Sequence, residues 1–158
     1  MTPQQLTSKA SPAVDAFSRL VGAHATLTRA LSSELVAKHG LTLNDYGCLL
    51  LLSRAEEEGM RRIDLANELQ LSPSGITRLL DRLEDQGLVG KGACKEDARV
   101  SYAVLTEAGL AKLKVAAPGH VGDIETRLGE VLDEEEMQTL AQLLARLSDR
   151  EAECTPED

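Results

Sequence analysis

The apolar positions of the chain recur at three-, four- and seven-residue steps over most of its length, and this pattern predicts a succession of helices. The first predicted helix covers residues 12–38, because Ser11 and Pro12 form a start signal and Gly40 a stop signal. A second helix is predicted over residues 42–55. The apolar stripe of the first helix needs a partner surface.

Two further helices are predicted over residues 62–70 and 73–86, with a very short connection between them. Ser72 is a preferred helix cap, Pro73 a preferred first helical residue and Gly87 a preferred stop. Two helices joined by so tight a turn form a helix-turn-helix motif. One side of the second helix is apolar and is expected to face the core; it carries Ile76, Leu79, Leu80 and Leu83.

The hydrophobic period changes from helical to alternating after Gly87. Residues 88–89 are predicted to open a strand, residues 90–98 to form a charged loop that contains glycine, and residues 100–105 to return as a second strand. A β-hairpin directly after a helix-turn-helix motif is a wing. The expected fold class is therefore mainly α with a small β-hairpin wing, which is a winged helix-turn-helix.

The C-terminal part of the chain returns to helical periodicity. One helix is expected to start at Glu107, to be bent or broken at Pro118 and Gly119, and to end near Val131. The last helix is predicted from Asp133, with acidic residues in its first turn and a stripe of leucines beyond them. The leucine stripes of the first and last helices exceed what a small helix-turn-helix core can cover.

The net charge of −9 argues at first against a nucleic-acid partner, because affinity for DNA depends largely on neutralising phosphates. The distribution of charge changes that conclusion. Residues 60–106 hold 7 basic and 7 acidic side chains, whereas residues 107–158 hold 5 basic and 13 acidic ones. A neutral middle segment can present a basic face if its acidic side chains point elsewhere.

Neither membrane insertion nor secretion is expected. No apolar run approaches the roughly 18 residues of a membrane span, and residues 1–12 lack the apolar core of a secretion signal. A cytoplasmic location and reduced thiols are expected, since Cys48, Cys94 and Cys154 have neither zinc-site nor disulfide spacing. We see no metal-ligand cluster, phosphate loop or activated nucleophile, so no metal, no cofactor and no enzymatic activity are expected.

Five runs of sequence in the middle of the chain are distinctive: Asp64-Leu65-Ala66, Leu71-Ser72-Pro73-Ser74-Gly75-Ile76-Thr77-Arg78, Leu83-Glu84-Asp85-Gln86-Gly87-Leu88-Val89, Asp97-Ala98-Arg99 and Leu105-Thr106-Glu107-Ala108-Gly109. Together they resemble the MarR family, the multiple-antibiotic-resistance type of bacterial transcription regulators. The runs lie between Ile63 and Gly109, about a third of the chain. The order of the flanking helices extends the similarity over nearly all of it.

The resemblance implies a homodimeric regulator that binds a double-stranded DNA operator. One helix-turn-helix reads only a few base pairs, so two copies are expected on a pseudo-palindrome, roughly 34–36 Å apart. Residues 12–40 and 107–150 are expected to form the dimerisation region and residues 41–106 the DNA-binding lobe, with frayed tails at residues 1–11 and 151–158. The expected regulator is a repressor that a small-molecule effector releases from its operator.

The polar side of the second motif helix is expected to contact DNA. Arg78 is the favoured base reader, because arginine can hold guanine through two hydrogen bonds, and serine or threonine can bond phosphates or base edges. In the alternative, Arg78 and Arg82 only pair with acidic neighbours on a solvated helix. The predicted DNA contacts are Ser72, Ser74, Thr77, Arg78, Arg82, Lys91, Lys95 and Arg99.

The wing carries the last three of these cations. Arg99, with Lys91 and Lys95 nearby, suits a wing tip that enters the minor groove or grips the DNA backbone. The resemblance implies that Asp97 forms a salt bridge that holds the shape of the wing. Ala98 stands where the family often has a basic residue. The alternative is a charged, solvated turn.

The resemblance also implies an effector site, since family members commonly bind small molecules, often anionic phenolic compounds, between the dimer helices and the DNA-binding lobe. The candidate residues are His24, Arg29, His39, Asp45 and Tyr46, and each is alternatively an ordinary surface or core residue. Some relatives instead sense oxidants through cysteine. Lys91 and Lys95 favour a thiolate at Cys94, whereas Cys48 is expected to be a buried, inert thiol.

Two alternatives to the effector-released repressor remain at this level. One is a thiol-based redox-responsive regulator of the same fold. The other is a winged helix that serves as a protein-interaction module, whose acidic surface docks a basic partner.

Overall fold

The computed structural model of the protein describes residues 11–55, 59–93 and 101–152. Within these ranges the elements follow in the order α1 (Pro12–His39), α2 (Leu43–Arg54), β1 (Met60–Arg61), α3 (Arg62–Glu68), α4 (Pro73–Asp85), β2 (Val89–Ala93), β3 (Ser101–Leu105), α5 (Glu107–Gly129) and α6 (Glu134–Ala152). The chain forms two compact units, one up to His120 and one from Val121 onward.

The helices begin and end close to the predicted signals. The Ser11 hydroxyl accepts a hydrogen bond from the backbone N–H of Val14 at the start of α1, and Gly40 ends that helix with a left-handed φ of 66°. Helix α2 begins with a reciprocal cap: Thr42 Oγ1 accepts from Asp45 N at 3.2 Å, and Asp45 Oδ2 accepts from Thr42 N at 2.8 Å.

The first unit encloses a core of leucines from α2, α3 and α4. Its fully buried members include Leu49, Leu65, Leu80 and Leu83. Each buried leucine contributes about 1.5–3 kcal/mol relative to an exposed one. This packing holds α3 and α4 together as the predicted helix-turn-helix motif.

The wing belongs to a three-stranded antiparallel sheet with the strand order β1-β3-β2. Strand β2 continues to Ala93, with Lys91 opposite Ala103, so residues 90–93 are strand and their prediction as loop was wrong. Backbone pairing with β3 extends the strand through two glycines. Strand β1 was not predicted, because its two residues are too few for an alternating pattern; Met60 pairs with Ala103.

Helix α5 runs through Pro118 from Glu107 to Gly129 as one helix. Of the two expected alternatives at Pro118 and Gly119, a bend or a break, the break is therefore wrong. Proline removes one backbone hydrogen bond from a helix interior, but Ala116 and His120 on either side of it are buried. Their packing on both sides keeps the helix continuous across the proline.

Helices α1 and α6 each carry several exposed apolar side chains. The N-terminal half of α1 exposes Val14, Phe17, Leu20 and Val21, and Phe17 is 67% exposed. In the second unit, α6 exposes Leu140, Leu143, Leu144 and Leu147. Across the described ranges, every helix is too short or too polar to span a lipid bilayer.

Candidate nucleic-acid interface

Helix α4 has one apolar and one polar side, because its hydrophobic residues follow the helical period. The Ser72 hydroxyl caps the helix by accepting a hydrogen bond from Gly75 N at 3.1 Å, and Pro73 occupies the first turn. The apolar side is buried, as predicted, and consists of Ile76, Leu79, Leu80 and Leu83. The opposite side is the one left open to a partner.

Three hydroxyls lie on or next to this open side. The Thr77 hydroxyl donates to Pro73 O at 2.8 Å, which leaves its oxygen as an acceptor. The Ser72 and Ser74 hydroxyls lie 3.2 Å apart, so one donates to the other and one hydrogen of the pair stays available. Because phosphate oxygens only accept hydrogen bonds, the serine pair suits a phosphate contact better than Thr77 does in this conformation.

Arg78 is exposed on the open side of α4 and pairs with no carboxylate in the described ranges. Of the acidic neighbours expected in the alternative interpretation, Asp81, Glu84 and Asp85, the first two have partners on other elements instead. The Arg78 guanidinium is therefore available for an external acceptor.

Arg82 has a different environment. Its Nη2 donates a hydrogen bond to Oδ1 of Asp45 in α2, and the Asp45 residue is only 2% exposed. Arg82 was predicted as a DNA contact, or alternatively as a partner of acidic residues on its own helix. The structure instead joins it to a buried carboxylate 37 residues away in the chain.

The part of the wing that the structure describes contains Lys91. Its ammonium nitrogen lies 3.4 Å from Oε2 of Glu84 in α4, and its side chain is largely exposed. Lys91 thus remains close to the open side of α4 while tying β2 to that helix. The other predicted wing residues, Lys95, Asp97 and Arg99, lie outside the described residues, as does Cys94.

Two cations near α3 were missed by the sequence analysis. Arg61 makes two hydrogen bonds to the carboxylate of Asp64, at 2.6 and 2.9 Å. Arg62 reaches α4, where its Nη2 lies 3.8 Å from Oδ1 of Asp81. The adjacent arginines before the motif were visible in the sequence, but their partners follow only from how α3 packs against α4.

The structure places two of the five predicted effector residues at one groove and the other three elsewhere. His24 and Arg29 line a groove of about 750 Å³ along α1, together with Ser32 and Val36. Asp45 and Tyr46 are buried in the first unit; the ring of Tyr46 meets that of His120 edge-on at 4.6 Å. Asp45, Tyr46 and the partly buried His39 are not among the described residues that line this groove.

Comparison with known proteins identifies the fold. The sequence model of a family described as the MarR family matches residues 39–100. The HTH-type transcriptional regulator MhqR of Bacillus subtilis (strain 168) is 30% identical over 112 residues, which are 71% of this chain and 75% of MhqR. The chain belongs to the MarR family. This confirms the resemblance inferred from residues 63–109. The family consists of DNA-binding transcriptional regulators and not of enzymes, so this chain is such a regulator.

Solved structures of transcriptional regulators, among them the MarR-family regulator AbsC, share this architecture. AbsC from Streptomyces coelicolor superposes with a TM-score of 0.78 at 31% identity, over 91% of this chain and 97% of AbsC. PcaV from the same organism, solved in complex with its natural ligand, has a TM-score of 0.66 at 25% identity, over 89% of this chain and 93% of PcaV. The predicted winged helix-turn-helix fold is confirmed.

The buried thiol of this MarR-family chain is poorly suited to redox sensing. Burial raises the pKa of Cys48 from 9.0 to about 12, and the Asp45 carboxylate adds to the rise. The thiolate is the reactive form. Cys48 therefore stays protonated at neutral pH while the protein is folded.

We expect Cys48 to resist alkylation until the protein unfolds. In a variant with Cys94→Ser and Cys154→Ser, iodoacetamide at pH 8 should label Cys48 about 1,000-fold more slowly in buffer than in denaturant, as the difference in thiolate fraction requires. The folded pKa is the raised one, so this thiol's contribution to stability is present below pH 9 and is lost as the pH rises towards 12. Equal labelling rates in the two conditions, with the circular dichroism of the folded state retained in buffer, would contradict the assignment.

The described residues offer no metal site. No group of three or more histidine, cysteine, aspartate or glutamate side chains there is arranged to hold an ion.

Proposed function

We propose that this MarR-family chain is a homodimeric repressor that binds a pseudo-palindromic operator through α4 and the wing, and that a small-molecule effector releases it. The observation that carries the proposal is the exposed Arg78 guanidinium, which pairs with no carboxylate of the described residues and lies beside Ser74 and Thr77 on the side of α4 opposite the core. Such a side suits the major groove, where base edges are distinguishable by their donors and acceptors.

The residues that contact DNA in this proposal have different tasks. Arg78 holds a guanine through its N7 and O6, and Thr77, whose hydroxyl already donates to the helix, accepts a hydrogen bond from an amino group of a base. Ser72, Ser74 and Lys91 contact phosphates and fix the register. The acidic C-terminal part of the chain discourages adhesion to random DNA.

The homodimer is supported by the exposed apolar side chains at both ends of the chain. A phenylalanine that is 67% exposed, in a chain with only one phenylalanine, is costly unless another surface covers it. Helix α6 has the same need at Leu143 and Leu147. Residues 12–40 and 107–150 therefore act as the dimerisation region in this proposal, and residues 41–106 as the DNA-binding lobe.

The effector site in this proposal is the groove along α1. Its lining residues lie on one face of α1, and Arg29 supplies a cation that favours an anionic ligand. His24 is a second polar group at the groove. That PcaV was solved with its natural ligand supports a ligand-responsive regulator.

A contact between α1 and α2 supports transmission from the groove to DNA. Ser32 lines the groove, and its hydroxyl accepts a hydrogen bond from Leu43 N at the start of α2, at 3.4 Å. The same turn of α2 carries Asp45, which pairs with Arg82 of α4. An effector that binds better to a conformation with altered α4 spacing would shift the population away from DNA.

Replacement of Arg78 tests the DNA-binding part of the proposal. An operator is first selected from genomic fragments with the purified protein. Arg78→Ala should then weaken operator binding by about 1–3 kcal/mol and relax the preference at one base position, because one bidentate contact is lost. Mobility shifts on the operator and its single-base variants measure both effects.

Arg54→Ala is the matched control, since it removes an exposed arginine at the C-terminal end of α2. It should bind the operator as the wild type does. An equal loss of affinity for operator and random DNA in Arg78→Ala would exclude Arg78 as the base reader. The absence of any duplex binding by the wild type would instead favour the protein-interaction module.

The redox-responsive alternative now depends on Cys94. Because Cys48 is expected to react slowly, Cys94 is the thiol that this alternative needs as its oxidant sensor. Cys94 lies outside the described residues.

A further inference from the structure

Asp45 is a buried carboxylate whose side-chain hydrogen bonds, within the described residues, go to Thr42 at the start of α2 and to Arg82 of α4. Its Oδ2 accepts hydrogen bonds from Thr42 N at 2.8 Å and from Thr42 Oγ1 at 2.7 Å. Its Oδ1 accepts from Arg82. A carboxylate buried to this degree needs a counter-charge, and among the described residues only Arg82 forms an ion pair with it.

The C-terminal half of α4 is tied to three different elements. Asp81 faces Arg62 of α3 at 3.8 Å, Arg82 pairs with Asp45 of α2, and Glu84 faces Lys91 of β2 at 3.4 Å. The first and third pairs have a partner that is more than half exposed, so water and salt weaken them. The pair with Asp45 differs because its carboxylate is excluded from water.

Arg82 and Arg78 are four residues apart, one turn along the same side of α4. A rotation of α4 about its axis therefore moves both guanidinium groups together. If Arg82 turned towards a base or phosphate, Asp45 would be left as an uncompensated buried charge. The contact with Asp45 and a contact with DNA thus compete for one guanidinium.

We propose that Arg82 is a positioning residue for DNA recognition: its pairing with Asp45 fixes the rotation of α4 and thereby the direction of Arg78, and it does not itself contact DNA. This inference rests on the proposed function, since it concerns how α4 is presented to an operator. It removes Arg82 from the predicted set of DNA contacts and gives Asp45 a role in recognition.

The experiment compares Arg82→Gln with the double variant D45N/R82Q on the selected operator. Arg82→Gln leaves the buried carboxylate unpaired, so affinity should fall at least about tenfold, roughly 1.4 kcal/mol. In D45N/R82Q the buried charge is gone as well, and the asparagine oxygen still accepts from Thr42. Affinity should return to within about threefold of the wild type.

Two further measurements separate positioning from direct contact and from general destabilisation. The slope of log affinity against log salt should stay unchanged in Arg82→Gln, whereas loss of a phosphate contact lowers it by about 0.9. The base preference at the position read by Arg78 should broaden. In the Arg78→Ala background, Arg82→Gln should cost less than about twofold, because there is no longer an Arg78 to direct.

The outcomes that overturn the inference are defined in the same assay. A double variant that binds as poorly as Arg82→Gln, or a salt slope lowered by about 0.9, means that Arg82 contacts DNA directly. If circular dichroism shows that Arg82→Gln does not fold, the operator affinity of D45N/R82Q alone tests the inference. A wild type that binds no duplex refutes the proposed function, whereas binding by the wild type without rescue refutes this inference alone.

Discussion

Replacing Gly109 with alanine is expected to lower the free energy of unfolding by about 3 kcal/mol, the upper end of the usual cost of overpacking a core. A Cβ at this position would lie 2.1 Å from the carbonyl oxygen of Leu88 and 2.7 Å from Cδ1 of Leu105. The first of these neighbours is backbone at the entrance to β2, and it cannot rotate away. Helix α5 must therefore move relative to the wing.

The movement also weakens the start of α5. Thr106 Oγ1 accepts from Gly109 N at 3.0 Å and donates to Gly87 O at 2.8 Å, so it joins the two ends of the hairpin to the helix. Chemical denaturation measures the loss, and the melting temperature should fall by roughly 6–12 °C.

Gly122→Ala is the matched control for this prediction. Gly122 lies in the same helix, and a Cβ there meets nothing within 4 Å. The substitution should stabilise the protein by about 0.5–1 kcal/mol, because alanine is the better helix former. If both variants gain stability, the close approach of α5 to the wing is wrong.

Introducing two aspartates on the leucine side of α6 is expected to dissociate the proposed dimer and abolish operator binding. Leu143 and Leu147 are 51% and 60% exposed and lie one turn apart. If a second copy covers them, four half-exposed leucines are buried per dimer, each worth at least about 0.8 kcal/mol, since about half of each side chain is still exposed in one copy. The dissociation constant of Leu143→Asp/Leu147→Asp should therefore rise by at least about two orders of magnitude.

Analytical ultracentrifugation and mobility shifts measure the two consequences. The control is Gln138→Asp/Gln142→Asp, which adds the same charges at the same spacing on another side of α6. It should remain dimeric and bind the operator. A leucine variant that stays dimeric would show that α6 does not form the interface, and a monomer that binds the full operator as tightly as the wild type would exclude the paired half-sites.

Local signals were sufficient to predict α4 and its two sides. Ser72 and Pro73 determine where the helix begins, and the leucines at helical spacing determine which side is buried, because both effects act over a few neighbouring residues. Arg78 follows from the same periodicity, since a residue opposite the buried side is exposed. The family resemblance carried by residues 63–109 rests on these local patterns.

Three features were decided by tertiary packing. Arg82 has the same charge as Arg78 and lies one turn further along the same side of α4. It nevertheless pairs with the buried carboxylate of Asp45 in α2, which is 37 residues away in the chain. Asp45 was interpreted as an effector residue, yet it caps α2 and pairs with α4. Pro118 has the local signature of a helix break, and the buried side chains on both sides of it keep α5 continuous.

The sequence by itself determined the order of the helices, the buried side of α4 and the family, because hydrophobic periodicity and capping operate within one or two helical turns. Only the tertiary structure decided which of the two similar arginines, Arg78 and Arg82, pairs with a carboxylate of the described residues. That choice depends on a charge buried in another helix, and no pattern within α4 itself records it.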